Sequence, residues 1–210
     1  MSRADVESQC RLEFDSAGTM FTPAEFDSIE EYDESYRYEL VHGVLVVNPI
    51  PSESHAGQNE KLGYLLNHYK LTHAEGSSLD ETLPERYIRT CESRRLADRV
   101  VWTGLGRRPD PTVDLPAIAV EFVSLGKRNR QRDYEMKRDE YLDIGILEYW
   151  IIDRFERIMT IYKRSKENVS TVPAVFVVQE NETYTTDLLP GFELELNTLL
   201  VEADKWEESP

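Results

Sequence analysis

Apolar residues recur along this chain at two spacings, and the spacing predicts the elements. Tyr36–Val41 and residues 44–48 read as strands separated by His42-Gly43, a two-residue gap ending in glycine that predicts a tight hairpin. Upstream, Thr22-Pro23-Ala24-Glu25 has the order of a helix start: a capping threonine, a proline in the first helical position, and a glutamate three residues after the cap. That helix should run to about Ser28. Over residues 54–73, Leu62, Leu65, Leu66 and Tyr69 recur at steps of three and four, which predicts a longer helix. Short strands are expected at residues 79–83, 86–90 and 97–103, followed by a loop rich in Gly, Pro and Arg over residues 104–111. Residues 117–123, Ala-Ile-Ala-Val-Glu-Phe-Val, form a nearly continuous apolar run, as in a central strand buried on both faces. A basic loop over residues 126–132 leads into a helix over residues 132–144, ended by Gly145. Residues 148–153, 157–163, 174–178, 183–187 and 192–196 complete the strands, and Asn197 is expected to cap a short last helix. Mixed strand and helix signals predict an α/β fold with a mixed sheet. We expect one domain over residues 21–200, after a loosely ordered segment, 1–20, and before an acidic tail, 201–210.

With 210 residues, 40% of them hydrophobic, the chain can bury a real core. No apolar run approaches the length of a membrane span, and the early acids of the first fifteen residues give no secretory leader. Cys10 and Cys91 make no disulfide framework, so a reducing cytoplasm is the expected compartment. The net charge of −16 argues against a nucleic-acid partner if charge is evenly spread. It is not. Between Arg86 and Arg138 stand 13 Lys/Arg and 7 Asp/Glu, a segment of +6 in a background of −22. Such asymmetry points to an anionic partner at the middle segment. Arg94, Arg95, Arg107, Arg108, Lys127, Arg128, Arg130 and Arg132 are the expected phosphate contacts as a group, although any one of them alone reads better as a solvated loop residue.

Several ionisable residues fall where packing prefers apolar ones. Glu121 sits inside the most hydrophobic run, between Val120 and Phe122. A buried carboxylate has to be neutralised, paired, or bound to a metal; the alternative is that the strand ends at Val120 and leaves Glu121 on the rim. Asp98 opens the run Val100-Val101-Trp102 and could face the site or water. Glu39 alternates with Tyr38 and Leu40, and is exposed if the tyrosine face is the core. Lys137 shares a helical stripe with Tyr134, Tyr141 and Ile144, so it must snorkel or reach a carboxylate. Carboxylates on adjacent strands with one lysine aimed at them are the minimal apparatus for metal-dependent phosphodiester hydrolysis. Mg²⁺ takes one or two protein carboxylates plus water and phosphate, activates water and stabilises the leaving oxygen.

At this point the chain resembles the PD-(D/E)XK superfamily of restriction-endonuclease-like nucleases, and within it the bacterial family of putative restriction endonucleases. The landmarks are Tyr38-Glu39-Leu40 with Gly43, residues 49–55, Asp98, Val120-Glu121-Phe122-Val123-Ser124, Arg132-Asp133 with Lys137 and Tyr141, Gly145, Glu148-Tyr149-Trp150 with Asp153, and Leu189-Pro190-Gly191-Phe192. The resemblance implies an α/β/α core with a mixed central sheet, preceded by an N-terminal helix and hairpin. It also implies a Mg²⁺ site that Mn²⁺ can share, with Asp98 and Glu121 as metal ligands, Lys137 as the motif lysine displaced onto the following helix, and Glu39 as the upstream acid. DNA is the implied partner, and a homodimer is a common assembly of such nucleases. Two departures stand out: Ala97 replaces the usual proline before the aspartate, and Leu125-Gly126 replaces the usual proline-serine after Ser124.

The leading expectation is therefore a metal-dependent endonuclease with Glu39, Asp98, Glu121 and Lys137 as its catalytic residues. The alternative is a nuclease-fold module that binds nucleic acid or a protein without cutting. Other readings fail. His42, His55, His68 and His73 lack zinc-ligand spacing among themselves or with the cysteines; His55 matches a family position that the resemblance would put near the site, and is expected to be structural or a helix cap. Gly126-Lys127-Arg128 lacks the remaining residues of a phosphate-binding P-loop.

Overall fold

Two strands are buried along their whole length, and they lie side by side: β5 (Ile118–Phe122) and β6 (Glu148–Asp153) pair in parallel, Glu121 opposite Ile151. The computed structural model describes residues 11–126, 132–164 and 173–206. These fall into two units, one formed by Met1–Ile50 with Arg89–Leu96, the other by Pro51–Ile88 with Ala97–Pro210. The expected loop cations Lys127, Arg128 and Arg130 lie outside the described residues.

In the first unit, α1 (Pro23–Asp27) starts as its sequence predicts: Thr22 Oγ1 accepts from the Glu25 amide at 3.2 Å while Glu25 reaches back to the Thr22 amide at 2.7 Å. The hairpin of β1 (Tyr36–Val41) and β2 (Val44–Pro49) turns through His42 and Gly43, both at positive φ (48° and 79°), as a two-residue turn of this hand requires. Glu39 is not on an exposed face. It is 2% exposed, and its carboxylate accepts from the Leu96 amide (2.9 Å) and from Asn48 Nδ2 (3.2 Å). Tyr38 and Leu40 are buried too, so both faces of β1 are covered and alternation could not assign a wet side.

In the second unit, α2 (Glu53–Thr72) precedes β3 (Leu79–Arg89), a single strand where two were expected; Glu85, at φ 48° after Pro84, marks the anticipated break. β4 (Arg94–Thr103) contributes its residues from Ala97 onward, pairs with β3 and runs antiparallel to β5. From β6 the sheet continues antiparallel through β7 (Ile158–Lys163) and β8 (Ala174–Gln179). The sheet is mixed, as expected. Alternate residues of β5 then separate two cores. Ile118, Val120 and Phe122 pack with Leu62, Leu66 and Tyr69 of α2 and with Leu199 and Leu200 of α4 (Leu196–Asp204). Ala119 and Val123 pack with Tyr141, Leu142 and Tyr149 on the other side. Helices on both faces make the α/β/α layering. Glu195, not Asn197, occupies the cap position of α4, because the preceding strand β10 (Glu193–Glu195) runs straight into the helix after pairing with β9 (Thr183–Thr185).

The helix expected over residues 132–144 begins differently. Arg132–Lys137 is a π-helical turn, and only Arg138–Ile144 (α3) is α-helical, closed by Gly145 at φ 112°. A π turn inserts one residue per turn and so re-aims the side chains it carries; such turns are frequent at functional sites.

Candidate active site

The β4–β5 ladder runs as far as Arg99 opposite Val120. One step further in register stand Asp98 and Glu121, the two acids singled out by sequence. Residues directly opposite on neighbouring strands point to the same face, and for Glu121 that is the face of Ala119 and Val123, beneath α3. Here the ladder ends on a side chain: the Phe122 amide donates to Asp98 Oδ2 at 2.7 Å.

Glu121 lies inside the strand, not on its rim, and is 2% exposed. Lys137 does not snorkel: it is equally buried, and its Nζ donates to Glu121 Oε1 at 2.9 Å. Tyr141, four residues on, donates to the same oxygen at 3.2 Å. The stripe read from the sequence is thus a donor face as much as an aromatic one. Burial pushes the Glu121 carboxyl well above the usual carboxylate range; Lys137 opposes this, while the charges of Asp98 and Asp133 add to it.

Two residues outside the expected set complete the cluster. His55, from the first turns of α2, places Nε2 3.0 Å from Asp98 Oδ2, and its ring rests 5.5 Å from that of Phe122. The distance is that of an ion pair, but the ring N–H is not aimed well enough for a hydrogen bond. Burial alone would lower the His55 pKa, yet Asp98, with help from Asp133, raises it above its ordinary value. The reciprocal holds for Asp98: burial would raise it, and His55, Lys137 and the Phe122 amide together bring it below. Asn59, one helical turn after His55, donates to the Asp98 carbonyl at 2.7 Å and accepts from Arg99 Nε at 2.7 Å. Spacing of four on α2 therefore fixes β4 where its acid sits.

The second addition is Asp133, in the π turn and 1% exposed. Oδ1 accepts from Arg132 Nε at 3.0 Å, and the main-chain carbonyl accepts from Tyr149 of β6 at 3.0 Å. Burial raises its carboxyl despite Lys137 and Arg132. In the sequence Asp133 stands only as a landmark beside Arg132. The signal that could have found it was its spacing of four from Lys137, on the same helical face.

The expected phosphate contacts divide. Arg94 is a correction: it is buried in the first unit, with Nε and Nη2 gripping Asp27 at 2.8–3.0 Å and Nη1 donating to two carbonyls. A guanidinium so engaged serves the fold. Arg95, 1% exposed, is likewise inside. Arg107 is exposed but forked onto Asp114 at 2.6 and 2.7 Å, Arg108 is exposed, and Arg132 is partly so. Asp98, Glu121, Asp133, Lys137 and His55 all belong to the second unit, and Glu39 to the first.

Among the described residues no three His, Cys, Asp or Glu side chains stand close enough to enclose one metal ion. Mg²⁺ does not require that, since one or two carboxylates suffice alongside water and phosphate. Asp98 and Glu121 on neighbouring strands fit that donor set, and Asp133, paired with Arg132, is a third carboxylate beside them. No helix among the described residues is long and apolar enough to cross a membrane.

Comparison with known proteins bears on the family and the fold. The family model described as "Putative restriction endonuclease" (Uma2) matches residues 23–197. No curated protein matches. Among solved structures, a protein titled as a putative nuclease belonging to DUF820 from Anabaena variabilis superimposes with a TM-score of 0.65 at 14% identity, covering 87% of this chain and 99% of that one. At that identity the likeness is one of fold.

Proposed function

Since the chain belongs to the putative restriction endonuclease family, we propose that it is a Mg²⁺-dependent endonuclease that hydrolyses DNA phosphodiester bonds. One observation carries this reading. Glu121, Asp98 and Asp133 gather in one site where the β4–β5 ladder ends, with Lys137 bonded to Glu121; burial first, and then the charges of Asp98 and Asp133, raise Glu121 far above a normal carboxylate. Carboxylates gathered at one site largely closed to water suit a divalent cation.

Asp98 and Glu121 would hold the ion, which Mn²⁺ could replace. When bound, it would supply Lewis-acid stabilisation of the phosphoryl oxygens and a more acidic water. The remaining work falls to the protein. Phe122 N–H and His55 fix the Asp98 carboxylate from two directions, and Lys137 and Tyr141 fix Glu121. Lys137 would offset phosphoryl charge as it develops. Glu39 is reserved for the first unit's main chain by its bond to the Leu96 amide, and we assign it a supporting role.

Incubation of supercoiled plasmid and single-stranded DNA with the protein, with and without Mg²⁺ or Mn²⁺, tests the reading. Metal-dependent cleavage abolished by Glu121→Ala and by Lys137→Ala is the expected result. Undiminished cutting by both variants, or none by the wild type, defeats it. In the latter case, calorimetric titration with Mn²⁺ tells whether a metal site remains on a module that only binds.

A further inference from the structure

Two buried carboxylates of the second unit, Glu148 and Asp153, have both oxygens engaged. Glu148 accepts from Thr186 Oγ1 and Lys163 on one oxygen, and from Trp150 Nε1 and Tyr184 on the other. Asp153 takes the amides of Phe155 and Glu156 on Oδ1 and the Tyr134 hydroxyl on Oδ2. Asp133 is as deeply buried and differs: beyond the Arg132 contact on Oδ1, its Oδ2 has no hydrogen-bond partner among the described residues. Leaving a buried acceptor unfilled is costly, so an atom in that state asks for a function or a ligand.

Its surroundings say which. Asp133 stands close enough to Glu121, Asp98, His55 and Lys137 for their charges to act on one another. Lys137 donates to Glu121, and an ammonium has no lone pair to offer. It can donate a hydrogen bond to a water but cannot accept one from it. A water held for in-line attack needs both a donor and an acceptor, because two such contacts leave one lone pair pointed in a fixed direction. Asp133 supplies the acceptor, four residues before the donor, on a turn whose π geometry and Tyr149 anchor set its direction.

We infer that Asp133 is a catalytic residue: through Oδ2 it accepts a hydrogen bond from the attacking water and, with Lys137, orients that water toward the phosphorus. The inference rests on the nuclease reading above and adds to it a residue outside the metal ligands and the motif lysine.

Asp133→Asn tests it. The amide keeps an acceptor for Arg132 and sets an N–H group where the free oxygen stood. Plasmid cleavage in Mg²⁺ should slow by roughly a hundredfold, the scale of losing an oriented reactant, while Mn²⁺ affinity by calorimetry and the melting temperature are retained. Asp133→Glu, which keeps the charge and displaces it, should show the same separation and guards against a misfolded amide variant. Cleavage equal to wild type in either folded variant overturns this inference alone. Loss of Mn²⁺ binding makes Asp133 a ligand and also overturns it. A lower melting temperature with an unchanged rate per folded molecule shows a purely structural role. A wild type that does not cut defeats the nuclease reading, and this inference with it.

Discussion

Lys137 is held at 2.9 Å from Glu121, with both side chains almost wholly out of water. Removing one partner strands the other charge, a loss of about 3–5 kcal/mol for buried pairs. Lys137→Ala should therefore lower stability in urea by that order, and Lys137→Met, which fills the space, should lower it similarly unless Glu121 takes up a proton. At pH 5 the neutral glutamic acid is favoured by its raised pKa, so Lys137→Met should recover stability on going from pH 8 to pH 5; equal losses at both pH values would contradict the assignment. The His55–Asp98 contact predicts a separate pH effect. His55 is raised above 6.5, so its contribution is complete below that value and disappears as pH rises through the folded pKa. Asp98 is lowered below 3.8, so its contribution is complete above that value and disappears as pH falls through its folded pKa. The contact is thus at full strength between those limits. Melting in a chelating buffer should show the wild type losing stability above pH 6.5 more steeply than His55→Gln. Parallel curves would mean that the pair contributes nothing.

At the scale of elements, periodicity disclosed what depends on period. The hairpin, α2, β5, β6 and the Gly145 stop follow from alternation, three–four spacing and turn residues, and α1 from its capping box. What stayed hidden depends on long-range contact. Glu39 could not be assigned a face because both faces of β1 are covered, and the π turn over Arg132–Lys137 has no period to betray it. Asp98 and Glu121 are legible as misplaced acids, while His55 stands out only as a family position, since an isolated histidine near a helix start looks like a cap until Asp98 is seen 3.0 Å away. α2 carries a constraint of the same kind. Arg99 is buried, its pKa lowered to about 10 chiefly by burial, and its guanidinium is held by Asn59 and Thr82 against Gly63. A Cβ at Gly63 would meet Arg99 Nη2 at 2.5 Å. Helix propensity alone makes Gly63→Ala favourable by about 1 kcal/mol, but displacing a buried, bonded guanidinium should cost about 1–3 kcal/mol. We expect net destabilisation by thermal melting, and weaker Mn²⁺ binding because Asn59 also holds the Asp98 carbonyl. A raised melting temperature would show that Arg99 can move freely.

For the whole molecule, the net charge of −16 conceals a basic middle segment, but burial thins that segment. Arg94, Arg95 and Arg99 are buried, and Arg94 is committed to Asp27. Of the eight cations expected to hold phosphates, six remain: Arg107, Arg108 and Arg132, together with Lys127, Arg128 and Arg130, whose placement is outside the described residues. Each phosphate neutralised contributes about −0.9 to the slope of log affinity against log salt. Six contacts therefore set a limit near −5 for duplex DNA, against about −7 if all eight took part. Fluorescence anisotropy with a labelled duplex in Ca²⁺, at several salt concentrations, separates the two. Arg108→Gln should make the slope shallower by about 1 and leave the melting temperature alone, since Arg108 is exposed. Arg94→Gln should do the reverse, keeping the slope while lowering the melting temperature, because it breaks the two-nitrogen grip on Asp27. If Arg94→Gln changes the slope, the first unit's arginines reach the phosphates after all; if Arg108→Gln does not, the backbone passes elsewhere on a surface whose remaining charge is strongly acidic and would exclude it.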